Sequence, residues 1–242
     1  EAFALPAPDR SAWYDGYLYN LLSRDVETLA DVRNPGAFQR LFRAVAANTA
    51  GLPAIDTLGR AAGLGHRTTK AYLDVLEETR LLDRVEPFFE NTLKRMIKTP
   101  KYYLTDSGLA AYLGGLSRRA VTSDGDRLGR LIETFVASQL RPLLDLASPR
   151  ARLCHLRDTE GRREIDLLLE AQDGTLVGIE IKSAAVIAAG AARHLVWLRN
   201  TFPDRFAAGI VLYTGPAIFR LDSKIWAVPI STLWTPPATG RK

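Results

Sequence analysis

The chain alternates between stretches of helical and of strand periodicity. Between Ser11 and Asp31, Trp13, Tyr17, Leu21 and Leu22 fall close to helical spacing, which predicts one amphipathic helix. Asn34 and Pro35 read as a cap and a helix-starting proline, and Phe38, Leu41, Phe42 and Val45 then recur at i, i+3, i+4 and i+7. Pro53 to Leu64 predicts a short helix with Ile55, Leu58 and Ala62 inward, closed by Gly63 and a turn through Gly65. A further helix from Arg67 to Thr79 carries Ala71, Tyr72, Val75 and Leu76 on one face. Its leading end is polar and basic: His66, Arg67, Thr68, Thr69 and Lys70.

Short helix, glycine turn and longer helix form helix-turn-helix grammar. Two β segments follow, Leu81 to Phe89 and Pro100 to Asp106. The stretch between them holds Lys94, Arg95 and Lys98, with Lys101 at its end, and no acidic residue between Asn91 and Thr105. A β-ribbon with a basic tip predicts a wing. Thr105 to Leu113 reads as a helix ended by Gly114 and Gly115, so residues 35–116 are expected to form a winged-helix domain behind a connecting helix in 1–34. Residues 117–127 are expected to be an unpatterned linker.

Beyond it, Leu128, Leu131, Ile132, Phe135, Val136 and Leu140 predict a helix up to Arg141, with Pro142 to Pro149 carrying the chain out. Arg152 to Arg157, Glu164 to Glu170, Leu176 to Lys182 and Gly209 to Tyr213 read as strands, and Ala188 to Asn200 as a helix. Asp173-Gly174 predicts a hairpin turn. The order α-β-β-β-α-β implies a mixed sheet flanked by helices, an α/β arrangement within a chain that is α+β overall, spanning 128–235 and followed by a tail, 236–242.

Composition narrows the classes. At 242 residues with 47% hydrophobic and 24% charged positions, the chain is expected to be globular rather than disordered. No run of about eighteen apolar residues appears, so no membrane association is expected. The lone cysteine, Cys154, has no internal partner, and no secretory signal is visible; a cytoplasmic location is expected. The chain opens with Glu1 and its single methionine is Met96, so an upstream segment is expected. A net charge of +5 is compatible with a DNA partner.

The candidate chemistry lies on the hairpin. An antiparallel turn at Asp173-Gly174 brings Asp166 beside Glu180 and Lys182, which share one strand face. Two carboxylates are a hard-ligand site for Mg²⁺, and a neighbouring lysine can orient a water or stabilise charge on a phosphate. Glu133, on the preceding helix, is expected to orient the site or contact a second metal. The alternative is a surface hairpin with ordinary ion pairs. His66, Arg67, Thr69, Lys70, Lys94, Arg95 and Lys98 are the expected DNA-contacting residues. No zinc spacing, Gly-x-Ser-x-Gly elbow or P-loop occurs, so no nucleotide is expected in this chain.

Asp166, followed fourteen positions on by Glu180-Ile-Lys182 with Glu133 upstream, resembles the PD-(D/E)xK nuclease superfamily, with Ile165 where its nominal motif has proline. The whole chain further resembles the C-terminal region that follows the ATP-binding domain in a family of bacterial and archaeal AAA-type ATPases. The matching pieces are Arg24-Asp25-Val26, Tyr103 to Leu109, Glu133-Thr-Phe-Val, Arg162 to Asp166 and Gly178 to Lys182. The resemblance implies a nuclease-like domain over 128–235, with Asp166, Glu180, Lys182 and Glu133 as its catalytic set and Asp166 and Glu180 as its metal ligands. It also implies an ATPase domain upstream of Glu1. A non-catalytic DNA-binding or protein-interaction module that regulates that ATPase is the alternative reading.

Overall fold

The computed structural model describes residues 5–21, 32–90 and 96–234. The chain divides into two compact units, Glu1–Arg84 with Tyr102–Asp124, and Val85–Lys101 with Gly125–Lys242. The architecture is mixed α/β.

In the first unit, helix α1 spans Ala7–Asn20. Tyr14, Leu18 and Leu21 are its buried positions, whereas Trp13 and Tyr17 stack on each other at 5.5 Å on the exposed side. Leu21 is buried as expected, whereas in the preceding turns the buried positions are Tyr14 and Leu18, one residue on from the expected Trp13 and Tyr17, with Tyr14 packed on Tyr112, ring centroids 4.8 Å apart. Leu22 and the rest of the expected helix to Asp31 lie outside the described residues.

Helix α2, Pro35–Ala47, starts as the sequence predicts. The Asn34 side chain accepts a hydrogen bond from Ala37 N at 2.9 Å, and Phe38, Leu41, Phe42 and Val45 are fully buried. Helices α3 (Ile55–Ala62) and α4 (His66–Glu78) follow, separated by Gly63 in the left-handed region at φ 71°. They approach closely at Gly59, where a Cβ would sit 2.5 Å from Thr69 Oγ1. Ala71, expected on the inward face of α4, is exposed, and Thr69 and Leu73 are buried instead.

Strands β1 (Leu82–Pro87) and β2 (Lys101–Leu104) each straddle the two units. β2 lies beside β1, as a ribbon of the two expected β segments requires, and β1 also continues into a larger sheet. Glu86 and Pro87 pair in parallel with Cys154 and His155, Phe88 N donates to His155 O at 2.7 Å, and Ile97 N donates to Arg157 O at 2.9 Å. The apolar β1 end continues a sheet instead of standing in solvent. Helix α5, Ser107–Leu113, is capped by Asp106, whose carboxylate accepts from Leu109 N at 2.6 Å. The expected linker 117–127 is not unpatterned, since Ser117 caps a short helix α6, Arg118–Thr122, and the next helix starts at Gly125.

In the second unit, α7 runs over Gly125–Asp145 and passes through Pro142 rather than ending before it. A proline so near the C-terminal end removes one intrahelical hydrogen bond, while the seam of Val136, Ala137 and Leu140 holds the helix from within. Strands β3 (Ala151–Arg157), β4 (Glu164–Ala171) and β5 (Leu176–Lys182), helix α8 (Arg193–Thr201) and strand β6 (Phe206–Tyr213) come next. Two strands that the pattern reading missed, β7 (Phe219–Asp222) and β8 (Ile225–Pro229), complete the unit.

The sheet of this unit has the order β1-β3-β4-β5-β6-β8-β7. Neighbours are antiparallel at β3-β4, β4-β5 and β8-β7, and parallel at β1-β3, β5-β6 and β6-β8. The Asp173-Gly174 turn joins β4 to β5, with Gly174 at φ 84°. Helix α7 packs on β3 and β5, and α8 on β4, β5 and β6. Leu156, Leu168, Leu176, Leu195, Leu198 and Phe206 form the buried centre.

Helix α8 lies close to β5 because residue 178 is glycine: a Cβ there would meet Leu195 Cδ2 at 2.6 Å and Leu198 Cδ2 at 3.0 Å. Gly178→Ala is expected to destabilise the second unit by about 1–3 kcal/mol through this overlap. A urea midpoint unchanged from wild type would show that α8 can slide away freely.

Candidate active site

Asp166 reaches the site through an irregularity in the sheet. Cys154 pairs with Leu168 but Leu156 pairs with Ile165, so Asp166 and Leu167 together oppose the single residue His155. That is a β-bulge, which re-aims a side chain and bends its strand. On the other side, the β4-β5 ladder pairs Leu167 with Ile179 as its last step. One step further, Ile181 N donates to the Asp166 carboxylate, Oδ2, at 2.7 Å. The carboxylate takes a hydrogen bond that a backbone carbonyl would take in a continued ladder, and it leaves Oδ1 open.

Glu180 stands on β5 two residues beyond Gly178 and is 3% exposed. Lys182 Nζ donates to its Oε2 at 2.8 Å. Its Oε1 is buried and accepts no hydrogen bond; His194 Nδ1, at the start of α8, lies 3.4 Å away, within ion-pair reach but out of line. Burial pushes the Glu180 carboxyl above its usual range and Asp166 adds to the effect, while His194 and Lys182 pull the other way. Contact with Glu180 raises the pKa of His194 against the opposing effect of burial. His194 Nε2 is 2.9 Å from Arg193 Nε.

Lys101, the first residue of β2, is 3% exposed, with Nζ 2.5 Å from Glu133 Oε1 and 3.8 Å from Glu164 Oε1. Burial alone would lower its pKa; Glu133, Asp166 and Glu164 together outweigh burial and hold it above the ordinary lysine value. Lys182 is likewise raised by Glu180, Asp166 and Glu164 against burial. The second unit therefore gathers Asp166, Glu180 and Lys182, as the sequence predicts, into one network with Lys101, Glu164 and His194, which it does not. Glu133 joins through Lys101, not as an open metal contact. The signal for Lys101 was a charge heading a strand whose four positions are all buried; His194 had no local signal.

Among the described residues no group of three or more His, Cys, Asp and Glu side chains is arranged to hold a metal ion. The donors that Mg²⁺ could use are the two carboxylate oxygens without hydrogen bonds, Asp166 Oδ1 and Glu180 Oε1. Mg²⁺ retains several waters and can take as few as one or two carboxylates. A cavity of about 430 Å³ lies at the far end of β4, lined by Arg150, Arg152, Glu170 and Gly174. Glu170 is held there by two guanidiniums, Arg152 at 2.6 Å and Arg205 at 2.8 Å.

Of the expected DNA contacts, Arg67 and Lys70 are exposed on α4. His66 is exposed and paired with Asp56, Nδ1 to Oδ1 2.7 Å. Thr69 is not available to a ligand: it is fully buried against Gly59 and its hydroxyl donates to Gly65 O at 3.0 Å. A β-branched residue one helix position from Lys70 faces inward, and spacing alone did not separate the two. Lys98 is exposed, its ammonium 5.9 Å from the Phe89 ring, and Lys94 and Arg95 lie outside the described residues. Lys101 is not part of any exposed basic tip. Among the described residues no helix is long and apolar enough to cross a membrane.

Residues 1–120 match the family model described as a domain of unknown function, DUF8612, and residues 128–233 match that of a second domain of unknown function, DUF4143. The chain is 31% identical over 229 residues to the uncharacterized protein Rv2008c of Mycobacterium tuberculosis and, equally, to the uncharacterized protein Mb2031c of Mycobacterium bovis. The alignment covers 94% of this chain and 49% of each relative, so the chain spans about half the length of the curated relatives it matches. A crystal structure of protein VC1899 from Vibrio cholerae aligns at 14% identity and a TM-score of 0.32, over 83% of this chain and 54% of that one. The chain is thus similar, over most of its length, to two consecutive domains of unknown function and to about half of each of two uncharacterized mycobacterial proteins.

Proposed function

We propose that the chain is a DNA-associated module of a AAA-type ATPase, with a helix-turn-helix unit of the winged-helix kind and a PD-(D/E)xK-type, Mg²⁺-dependent nuclease-like site. The observation that carries the proposal is the meeting of Asp166, Glu180 and Lys182 where β4 leaves β5, with a buried oxygen of Glu180 accepting no hydrogen bond. His194 Nδ1, 3.4 Å away, supplies charge but not the hydrogen bond that a buried carboxylate oxygen needs, so a further ligand at this oxygen would be stabilising. DUF4143 domains often accompany AAA-type ATPase domains, and the relatives are long enough to hold one beside the aligned half. ATP hydrolysis is assigned to that other part, since this chain has no P-loop.

Asp166 Oδ1 and Glu180 Oε1 would hold the ion. Bound there, Mg²⁺ would polarise a phosphate and lower the pKa of a coordinated water. Lys182, tied to Glu180 Oε2 by one of its three N–H groups, has donors left to orient the attacking water or meet the developing phosphate charge. Arg67 and Lys70, on the exposed start of α4, would contact the phosphate backbone.

The test follows cleavage and retardation of labelled duplex, single-stranded and branched DNA in the same Mg²⁺ and Mn²⁺ titrations. Metal-dependent cleavage is expected, abolished by Asp166→Ala. Retardation is expected to weaken in Arg67→Ala/Lys70→Ala, with a salt slope shallower by roughly two, one per lost phosphate contact. Cleavage that survives Asp166→Ala would remove the nuclease reading, and unchanged retardation in the double variant would remove the DNA contact.

A second reading, a non-catalytic DNA-holding or protein-interaction module that regulates the ATPase, is favoured by one observation. The acidic cluster already carries its own cations, with Lys101 at Glu133 and Lys182 at Glu180. Retardation without cleavage at any metal concentration is its expected result.

A further inference from the structure

We infer that Arg163, held on the ring of Trp197, grips a phosphate of the nucleic-acid backbone beside the candidate site, with Trp197 as the residue that positions it. The inference rests on the nuclease reading above and names a contact for its substrate. Gly178 and Glu180 both face α8: a Cβ at Gly178 would meet Leu195 and Leu198, with Ile165 of β4 3.9 Å away, and Glu180 lies beside His194. Arg163, two residues before Ile165, belongs to the same face, and its guanidinium carbon lies over the Trp197 ring, 4.7 Å from the centroid. Trp197 follows His194 by three residues of α8, so the Arg163–Trp197 pair and the Glu180–His194 pair are neighbours on one helix face. Arg163 is at most about 10 Å of extended chain from Asp166, on the order of three base steps of a duplex.

The turn that presents Arg163 is tied down by hydrogen bonds. Asp158 N donates to Arg163 O at 2.9 Å, Gly161 N to Asp158 O at 3.1 Å, and Arg162 N to the Asp158 carboxylate at 2.8 Å. Three arginines lie around this turn, and their partners differ. Arg157 pairs with Glu164 and Arg162 with Glu160, whereas Arg163 is exposed and, among the described residues, has no carboxylate partner. Its guanidinium lies instead on Trp197, which is half-buried and packed against the core. A guanidinium on an aromatic face keeps its N–H donors for another ligand, and because it is already held it loses little rotamer freedom on binding one. Two oxygens of a phosphate match that planar fork. With Arg163 over it, Trp197 acts as a support and not as a stacking platform for bases, so the contact reads the backbone and not the sequence.

The test compares Arg163→Gln with wild type on labelled duplex, single-stranded and branched DNA, following retardation across a salt series and Mg²⁺-dependent cleavage across a DNA concentration series. Arg163→Gln is expected to make the salt slope of retardation shallower by roughly one. Its KM is expected to rise roughly tenfold with kcat within about twofold of wild type, as for a contact made equally in the ground and transition states. Arg163→Lys is expected to restore the slope and only part of the affinity, since the charge returns without the planar fork. Trp197→Leu, which keeps the arginine and removes its support, is expected to weaken retardation at an unchanged slope; retardation equal to wild type overturns the positioning role. A slope and KM unchanged in Arg163→Gln, while Arg67→Ala/Lys70→Ala still weakens retardation, overturn the inference alone and make Arg163 a cover for Trp197. A wild type that retards DNA without cutting it removes the nuclease reading, and the salt slope of Arg163→Gln then decides whether Arg163 grips the backbone. A wild type that does neither overturns both. Should Trp197→Leu fail to fold, Arg163→Gln and Arg163→Lys, at an exposed position, decide.

Discussion

Lys182→Met is expected to slow Mg²⁺-dependent DNA cleavage by roughly 10²–10³-fold, the usual cost of removing one preorganised transition-state donor, while leaving the fold intact. The side chain is 38% exposed, and methionine keeps its apolar stem, so the core below is not opened. Two effects combine. The cation that would face the phosphate is lost, and Glu180 loses one of the two groups that hold its carboxyl down. The second effect moves the Glu180 carboxyl further upward, so the loss is expected to be larger at the lower of two assay pH values than at the higher, where the carboxylate is more fully ionised. Lys182→Arg is expected to recover only part of the rate, because a planar guanidinium does not reproduce the compact ammonium. Cleavage within about threefold of wild type at both pH values would show that Lys182 serves only as the partner of Glu180.

Much of this site was legible in the sequence, and the reason is local. Glu180 and Lys182 are two apart on a strand, and the Asp173-Gly174 turn fixes which residues of β4 lie opposite them. The bulge at Asp166 was not legible, since it arises from the pairing of β4 with β3 rather than from the hairpin itself. Lys101 and His194 were hidden for a stronger reason: each meets its carboxylates only after distant segments pack, and a single lysine or histidine has no period. Helix α2 was readable because cap, proline and apolar stripe all agree on it. Strand β8 alternates Ile225, Ala227 and Pro229 inward and was readable in principle, but its five residues are bounded by a charged turn and a proline. The fate of β1 was not readable, because an apolar strand end fits a free ribbon and a sheet partner equally well. Its parallel pairing with β3 depends on residues almost seventy positions later.

The stability of the protein is expected to fall by about 2 kcal/mol between pH 7.5 and pH 5 on account of His155 alone. This histidine is 1% exposed, with Nε2 3.0 Å from Thr99 O. Burial drives its pKa down and the nearby Lys101 charge adds to that, against the support of the Thr99 carbonyl, to about 4. In the unfolded chain it titrates near 6.5. Above pH 6.5 both states are neutral and His155 contributes its full stability. As the pH falls from 6.5 towards 4, the unfolded chain takes up a proton that the folded one refuses, so stability is lost by up to ~1.4 kcal/mol per pH unit. His194 acts with the opposite sign and in a different window: its raised pKa gives stability that is complete below 6.5 and lost as the pH rises through the folded value. The urea midpoint is therefore expected to peak near pH 6.5. His155→Gln, which keeps a donor towards Thr99 but cannot titrate, is expected to flatten the acid limb alone, whereas His194→Gln flattens the alkaline one. An acid limb unchanged in His155→Gln would place the proton uptake on the carboxylates, and the imidazole would then be charged within the fold.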